Sequence, residues 1–439
     1  HRCDLSAYTP EEQGERVRAL IQEESLKVFD LSVDLMVRGA YFSLSPEGGT
    51  QEGVLLFNMH HIASDGWSLG VLVKEFVAQY EAAAAGAPDP LPGLSVQYAD
   101  YAHWQRQWLA GEIFERQLRY WQEQLSAVPG VHSLPLDKAR PEMKEHAGGV
   151  VSGYLSGDLS VGLQALAKAH NVTPFMLLHA ALGVLLSRHS NSEDIVIGTP
   201  VANRLQVELE PLIGFFVNTL VLRVNTGHEH FSDYLAHVRQ VNLDAQANQD
   251  IPFEHLVEHC QVPRSTQHTP LFQILFSMNT NESSELSLPG VEFSPVGGGS
   301  PVAKFDLDIS AQVTEQGIYL SWIYDRSLFE ESRIEQLNAH FERLLKGIIA
   351  APESRVKELP MLSSDEIHYL VHELNDTQVE YPQDELIHEM FEAQVEQVPD
   401  HVAVVFEDKQ LTYRELNEAS NRLAHYLREQ GVGPDVLVG

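Results

Sequence analysis

An apolar run, Val54-Leu55-Leu56-Phe57, gives way within a few residues to Met59-His60-His61-Ile62-Ala63-Ser64-Asp65-Gly66-Trp67-Ser68, and this abrupt change of chemistry dictates the local architecture. The apolar run reads as a strand buried on both faces, and Asp65-Gly66 reads as a turn that permits positive φ. Ser68 stands in the position of an N-cap, and Leu69, Leu72, Val73, Phe76, Val77 and Tyr80 follow at helical spacing. Strand, tight loop and helix therefore come in order, with two imidazoles and a carboxylate on the loop. Such a loop suits acyl-transfer chemistry.

The remaining composition narrows the possibilities. A chain of 439 residues with 44% hydrophobic content can bury a sizeable core and is long enough for more than one folding unit. Lys+Arg total 29 against Asp+Glu 62, a formal charge of -33, which repels nucleic-acid phosphates and anionic lipid alike. No nucleic-acid or membrane partner is expected, and no apolar run approaches the roughly 18 residues that a membrane span requires. Cys3 and Cys260 are too few for a disulfide framework, so a reducing cytoplasmic setting fits. Neither an initiator methionine nor a signal-peptide pattern opens the chain, and the expectation is a piece of something longer.

Two lobes are expected, with their crossover in the turn-rich stretch from Pro135 to Gly149. The first, residues 1–145, holds the strand-loop-helix and a helical region from Tyr98 to Leu125, whose buried stripe is read as Trp104, Trp108, Leu118, Trp121 and Leu125. The second, residues 146–350, opens its apolar helix at Thr173-Pro174, passes to a strand at Ile195–Gly198, and closes on an amphipathic helix through Ile334, Leu337, Phe341, Leu344, Leu345 and Ile348. Residues 351–380 read as an acidic linker that packs on its neighbours. Residues 381–439 begin a new unit, in which Val402–Phe406 forms a strand and Thr412-Tyr413-Arg414-Glu415 a capping box; alone it is too short to bury much.

The histidine loop closely resembles the HHxxxDG signature of the condensation domains of nonribosomal peptide synthetases. Further segments agree in order. Tyr98-Ala99-Asp100-Tyr101-Ala102-His103-Trp104 is similar to YxDYAxW, Ile213-Gly214-Phe215-Phe216-Val217-Asn218-Thr219 through Arg223 to IGxFVNTxxxR, and Asn248-Gln249-Asp250-Ile251-Pro252-Phe253-Glu254 to HQDxPFE with Asn in place of the first His. Arg264 to Leu271 is a loose form of RxxSRNPL, with Thr266 and Gln267 where that pattern has Ser and Arg. Leu411-Thr412-Tyr413-Arg414-Glu415-Leu416 resembles the opening of an adenylation domain.

The resemblance implies an α/β fold of two chloramphenicol-acetyltransferase-like lobes in a V-shaped pseudodimer, plus an incomplete N-terminal piece of an adenylate-forming α/β domain. It implies peptide-bond formation between a donor thioester and the α-amine of an acceptor thioester. Both would ride on phosphopantetheine arms of upstream and downstream carrier domains, with ATP-Mg used only by a complete adenylation domain. His61, Asp65 and Gly66 are the expected catalytic residues, with His60, Trp67, Ser68 and Asn218 supporting them or lining a channel. Asp65 would pair with an arginine, and a position upstream of His1 is one expectation for that partner. Arg106, Arg116 and Arg119 are candidate carrier-docking residues, whereas Asp250-Ile251-Pro252-Phe253-Glu254 reads as a braced loop.

No metal site is expected, since His60 and His61 face opposite ways and neither cysteine sits in a CxxC pair. Competing readings are a related epimerisation domain, a noncatalytic carrier-docking scaffold of the same fold, and a free-standing acyltransferase; the last should carry a DFGWG-like segment, which is not found.

Overall fold

The computed structural model describes residues 1–45, 52–279, 288, 290–294, 296, 301–314, 316–381 and 384–439. They form two compact units, His1–Ser363 and Ser364–Gly439.

The first unit begins with β1 (Arg2–Asp4), α1 (Pro10–Leu26), β2 (Val37–Ser43), β3 (Gly53–Met59) and α2 (Gly66–Ala85). These first three strands form one sheet in the order β1-β2-β3, with β2 and β3 antiparallel from Val37↔Met59 to Ser43↔Gly53. A small apolar cluster of Leu5, Val17, Ala40 and Phe42 lies under it. β3 is an edge strand, so it is not buried on both faces as its sequence suggested: Leu55 is 39% and Phe57 40% exposed.

The expected single helical region is two helices, α3 (Tyr98–Trp108) and α4 (Glu112–Gln124). Gly111 separates them at φ 70°, a left-handed conformation that side chains with a Cβ avoid. α4 buries Trp121 and Leu125 in the large core described next, and the Trp121 indole N–H donates to Asn248 O at 2.8 Å.

That core surrounds a mixed six-stranded sheet. Along the chain run β4 (Gly148–Ser156), α5 (Gly157–Ala169), α6 (Pro174–Ser190), β5 (Asp194–Val201), β6 (Asn218–Asn225), α7 (Phe231–Ala247), α8 (Phe253–His259), β7 (Ile274–Asn279), β8 (Leu307–Val313), β9 (Gly317–Asp325) and α9 (Glu331–Ala350). The sheet order is β4-β9-β8-β7-β5-β6, with β5-β7 and β7-β8 parallel and the other pairs antiparallel. Thr173 caps α6 by accepting the Met176 N–H, with Pro174 next, and every residue from Met176 to Leu186 is buried.

The crossover before β4 is pinned by one buried carboxylate: Asp306 accepts from His132 Nε2 at 3.0 Å and from both terminal nitrogens of Arg140. After α9 the chain stays on this core, because Val356, Leu359 and Met361 are buried in it.

The second unit contains α10 (Ser364–His368), α11 (Ile387–Gln397), an antiparallel pair β10 (Val402–Phe406) and β11 (Lys409–Thr412), and α12 (Tyr413–Glu429). Thr412 and Glu415 form the anticipated capping box of α12. Among the described residues Val395 is this unit's one buried apolar side chain, as expected for so short a piece.

Candidate active site

The histidine loop joins β3 to α2. His61 opens one turn of 3-10 helix, and its Nδ1 lies 2.6 Å from Ser64 O. A carbonyl only accepts, so in the neutral ring Nδ1 carries the proton and Nε2 is left with its lone pair. The ring is solvent-accessible and packs edge-on against Phe215 at 5.1 Å between centroids.

His60 does different work. Its Nδ1 accepts the Ile62 N–H at 3.1 Å, its backbone N–H donates to Met36 O, and its ring sits edge-on to Phe29. It braces the loop.

Asp65, not Ser68, is the N-cap of α2, because its carboxylate reaches forward to the Ser68 N–H at 2.9 Å. Only 4% exposed, it also accepts from Ser68 Oγ, from the N–H groups of Phe216 and Val217 at 3.0 and 3.2 Å, and from Arg204 Nη2 at 3.2 Å. Burial alone would raise its pKa. The Ser68 and Phe216 donors and the Arg204 charge outweigh burial and hold the carboxyl below its ordinary value.

The arginine paired with Asp65 is therefore within this chain rather than upstream of His1. Sequence reasoning missed Arg204, which lies just past β5 and 139 residues from its partner, with no local signal linking the two. Its other terminal nitrogen donates to Leu209 O and Leu212 O, and its guanidinium carbon lies 4.0 Å from the Phe216 ring centroid.

Ser68 is fully buried. Its hydroxyl lies 2.7 Å from Asp65 Oδ1 and 2.9 Å from Gly214 O, and accepts from Gly214 N–H and Arg204 Nη2. It ties α2 to the loop 213–217 rather than lining a channel. The half-exposed Trp67 donates its indole N–H to Glu210 O.

Gly66 is the first residue of α2, and its φ is not positive. A Cβ there would meet nothing within 4 Å, so the space on that side of Gly66 is open. Its N–H belongs to the first turn, which has no intrahelical acceptors.

The other motif segments brace this assembly. Tyr98 donates its hydroxyl to Phe215 O at 2.8 Å, and Gly214 is required because a Cβ would lie 2.3 Å from the Tyr98 ring. Tyr101 packs on Phe216, and burial pushes its phenol pKa up to about 12. Asn218 turns its amide onto Gln249 O and Ile251 O and accepts the Phe253 N–H, supporting α8 at its start. Asp250 exchanges two hydrogen bonds with Gln117, so its loop is braced as expected.

Trp104 and Trp108 do not form a buried stripe. They are 38% and 42% exposed and stack on each other at 5.7 Å, because α3 buries its Tyr101 face instead. A shallow pocket there is lined by Tyr101, Trp108, Asn203, Leu205 and Asp250, and a second lies between residues 129–134 and β5; His61 lines neither. Arg106, Arg116 and Arg119 are exposed but divided between α3 and α4.

The family model for the condensation domain matches residues 1–371. The chain belongs to that family. Condensation domains of nonribosomal peptide synthetases are acyltransferase-type enzymes that form peptide bonds, and the fold is their chloramphenicol-acetyltransferase-like α/β fold. The model for AMP-binding enzymes matches residues 391–439, so the start of an adenylation domain follows the condensation domain.

A linear gramicidin synthase of Brevibacillus parabrevis is 39% identical over 100% of the chain and 9% of its own length. The chain thus spans under a tenth of that relative. Malpinin synthetase of Mortierella alpina is likewise 39% identical, over 97% of the chain and 6% of its own length. A four-domain nonribosomal peptide synthetase bound to AMP and glycine shares 27% identity at TM-score 0.73, covering 98% of this chain and 33% of that one. Among the described residues no single helix is long and apolar enough to cross a membrane.

Proposed function

We propose that this condensation domain joins a donor peptidyl or aminoacyl thioester to the α-amine of an acceptor aminoacyl thioester. Each substrate is presented on the phosphopantetheine arm of a separate carrier domain. The observation that carries the reading is the His61 Nδ1 contact to Ser64 O, which leaves Nε2 as a proton acceptor at an open surface beside the α2 N-terminus.

The chemistry asks little of a strong base. An α-amine of pKa near 8 is about one-tenth neutral at pH 7, so generating the nucleophile costs only about 1.4 kcal/mol. Attack on the thioester carbonyl gives a zwitterionic tetrahedral intermediate, whose ammonium proton passes to His61 Nε2 as the thiolate departs. The Gly66 N–H, at the positive end of α2, faces the developing oxyanion. Asp65 touches no substrate; it positions the loop.

We place the domain layout as an N-terminal lobe over 1–145, a second lobe over 146–350, a connection over 351–380 and the adenylation start over 381–439. ATP-Mg belongs to the complete adenylation domain, and no residue here is assigned to it.

The test is a complete module with both carriers loaded. His61→Ala should lower dipeptidyl product about 10²–10⁴-fold, the usual worth of positioned acid-base catalysis, with the urea midpoint unchanged. Near wild-type turnover would overturn the role of His61. Solvent deuterium entering the donor Cα without peptide product would instead establish epimerisation, and productive docking with no chemistry in the wild type a scaffold.

A further inference from the structure

A second group of histidines lies away from the loop. His255, Glu258 and His259 stand on α8 at spacings of three and four residues, which bring side chains to one face of a helix. One ligand atom from each lies within 4.8 Å of the others. We propose that these three residues form a binding site for a borderline divalent transition metal of the Zn²⁺ type.

The donor set is two imidazoles and one carboxylate, which suits zinc and its neighbours far better than the oxygen-seeking Ca²⁺ or Mg²⁺. Three protein ligands leave one tetrahedral position for water or for a group from another molecule. The expectation of no metal rested on His60, His61 and the cysteines, and leaves this group untouched.

His259 is already prepared for a metal. Its Nδ1 lies 2.8 Å from His255 O, an acceptor only, so in the neutral ring Nδ1 holds the proton and Nε2 is the nitrogen left to a metal. A backbone carbonyl on the remote ring nitrogen is the usual outer support of a metal-bound histidine.

The frame is also held. Leu256 and Val257 bury the opposite face of α8, Asn218 caps its first residue, and Phe114 from α4 lies edge-on to both rings at 6.0 and 5.5 Å. The cluster falls at the C-terminal end of the helix, where the peptide dipoles favour a cation. Bringing in a metal changes no covalent bond; it requires only that both imidazoles be neutral.

The experiment is calorimetric titration of chelator-treated full chain with Zn²⁺, repeated with Co²⁺ to read the visible absorption of a tetrahedral site. One equivalent should bind, with a raised melting temperature. His259→Gln should weaken it at least about tenfold, since losing a ligand cannot be milder than losing outer support, worth about 10–100-fold. Glu258→Gln should weaken it as well, while both metal-free variants melt like the wild type. His368→Ala, which removes one member of another histidine pair four residues apart, should bind as the wild type does. No binding, several weak equivalents unchanged by His259→Gln, or loss in His368→Ala would each overturn the site. None of these readouts depends on peptide-bond formation.

Discussion

α2 and α6 are both apolar helices, yet they are held in opposite ways. Every α6 residue from Met176 to Leu186 is buried, so apolar packing along its whole length dominates its position. α2 is longer, but among its residues only Ser68 and Ala82 are buried, and Leu69 remains 49% exposed. What fixes its first turn is the polar knot of Asp65, Ser68, Arg204 and the backbone of 213–217. The lesson is that the histidine loop takes its precision from hydrogen bonds to Arg204 and to the loop 213–217, not from a core beneath it.

The sharpest way to break this contrast is to cut the knot. Arg204→Met leaves Asp65 as a buried unpaired carboxylate, which should cost about 3–5 kcal/mol by urea unfolding and disorder the loop. A folded Arg204→Met variant of unchanged stability would mean that packing holds α2 after all. Leu182→Ala, in the middle of α6, should cost about 2–5 kcal/mol through cavity formation, measured the same way.

Acid should separate the two helices as well. His179 on α6 is wholly buried, and burial lowers its pKa from 6.5 to about 3. The unfolded chain then binds the extra proton, so stability falls as pH drops from about 6.5 towards about 3. Asp65, with its pKa held below 3.8, contributes stability above that value and loses it only at lower pH. His179→Gln should therefore flatten the stability profile between about pH 6.5 and about pH 3, as read from urea midpoints across pH; an unchanged slope would assign it to other groups. Leu69→Ala should be the mildest change, within about 0.5 kcal/mol, because its side chain is half in solvent. A loss comparable with Leu182→Ala would erase the distinction between the helices.

Much of this was legible in the sequence because it is local. The Thr173-Pro174 start, the Thr412/Glu415 capping box and the strand-loop-helix around His61 depend on neighbours a few residues apart. The motif spacing also located the right segments, since Tyr98, Gly214 and Asn218 all meet around the site or its supports.

What stayed hidden depends on distant partners. Periodicity gave Trp104 and Trp108 a common face but not its direction, which Phe216 decides by packing on Tyr101. Ser68 looked like a cap until the carboxylate three residues earlier claimed its N–H. Arg204 had no pattern around it. The metal-type cluster on α8 carries the plain signal of histidines four residues apart, which a search for adjacent histidines passes over.

Phe216, Val217 and Asn218 face two ways at once: the first two give their amides to Asp65, while the third secures the start of α8. These three successive residues make the two regions share one fate. A disturbance that shifts the entrance of β6 by a fraction of an ångström reaches the His61 loop and the distant helix together.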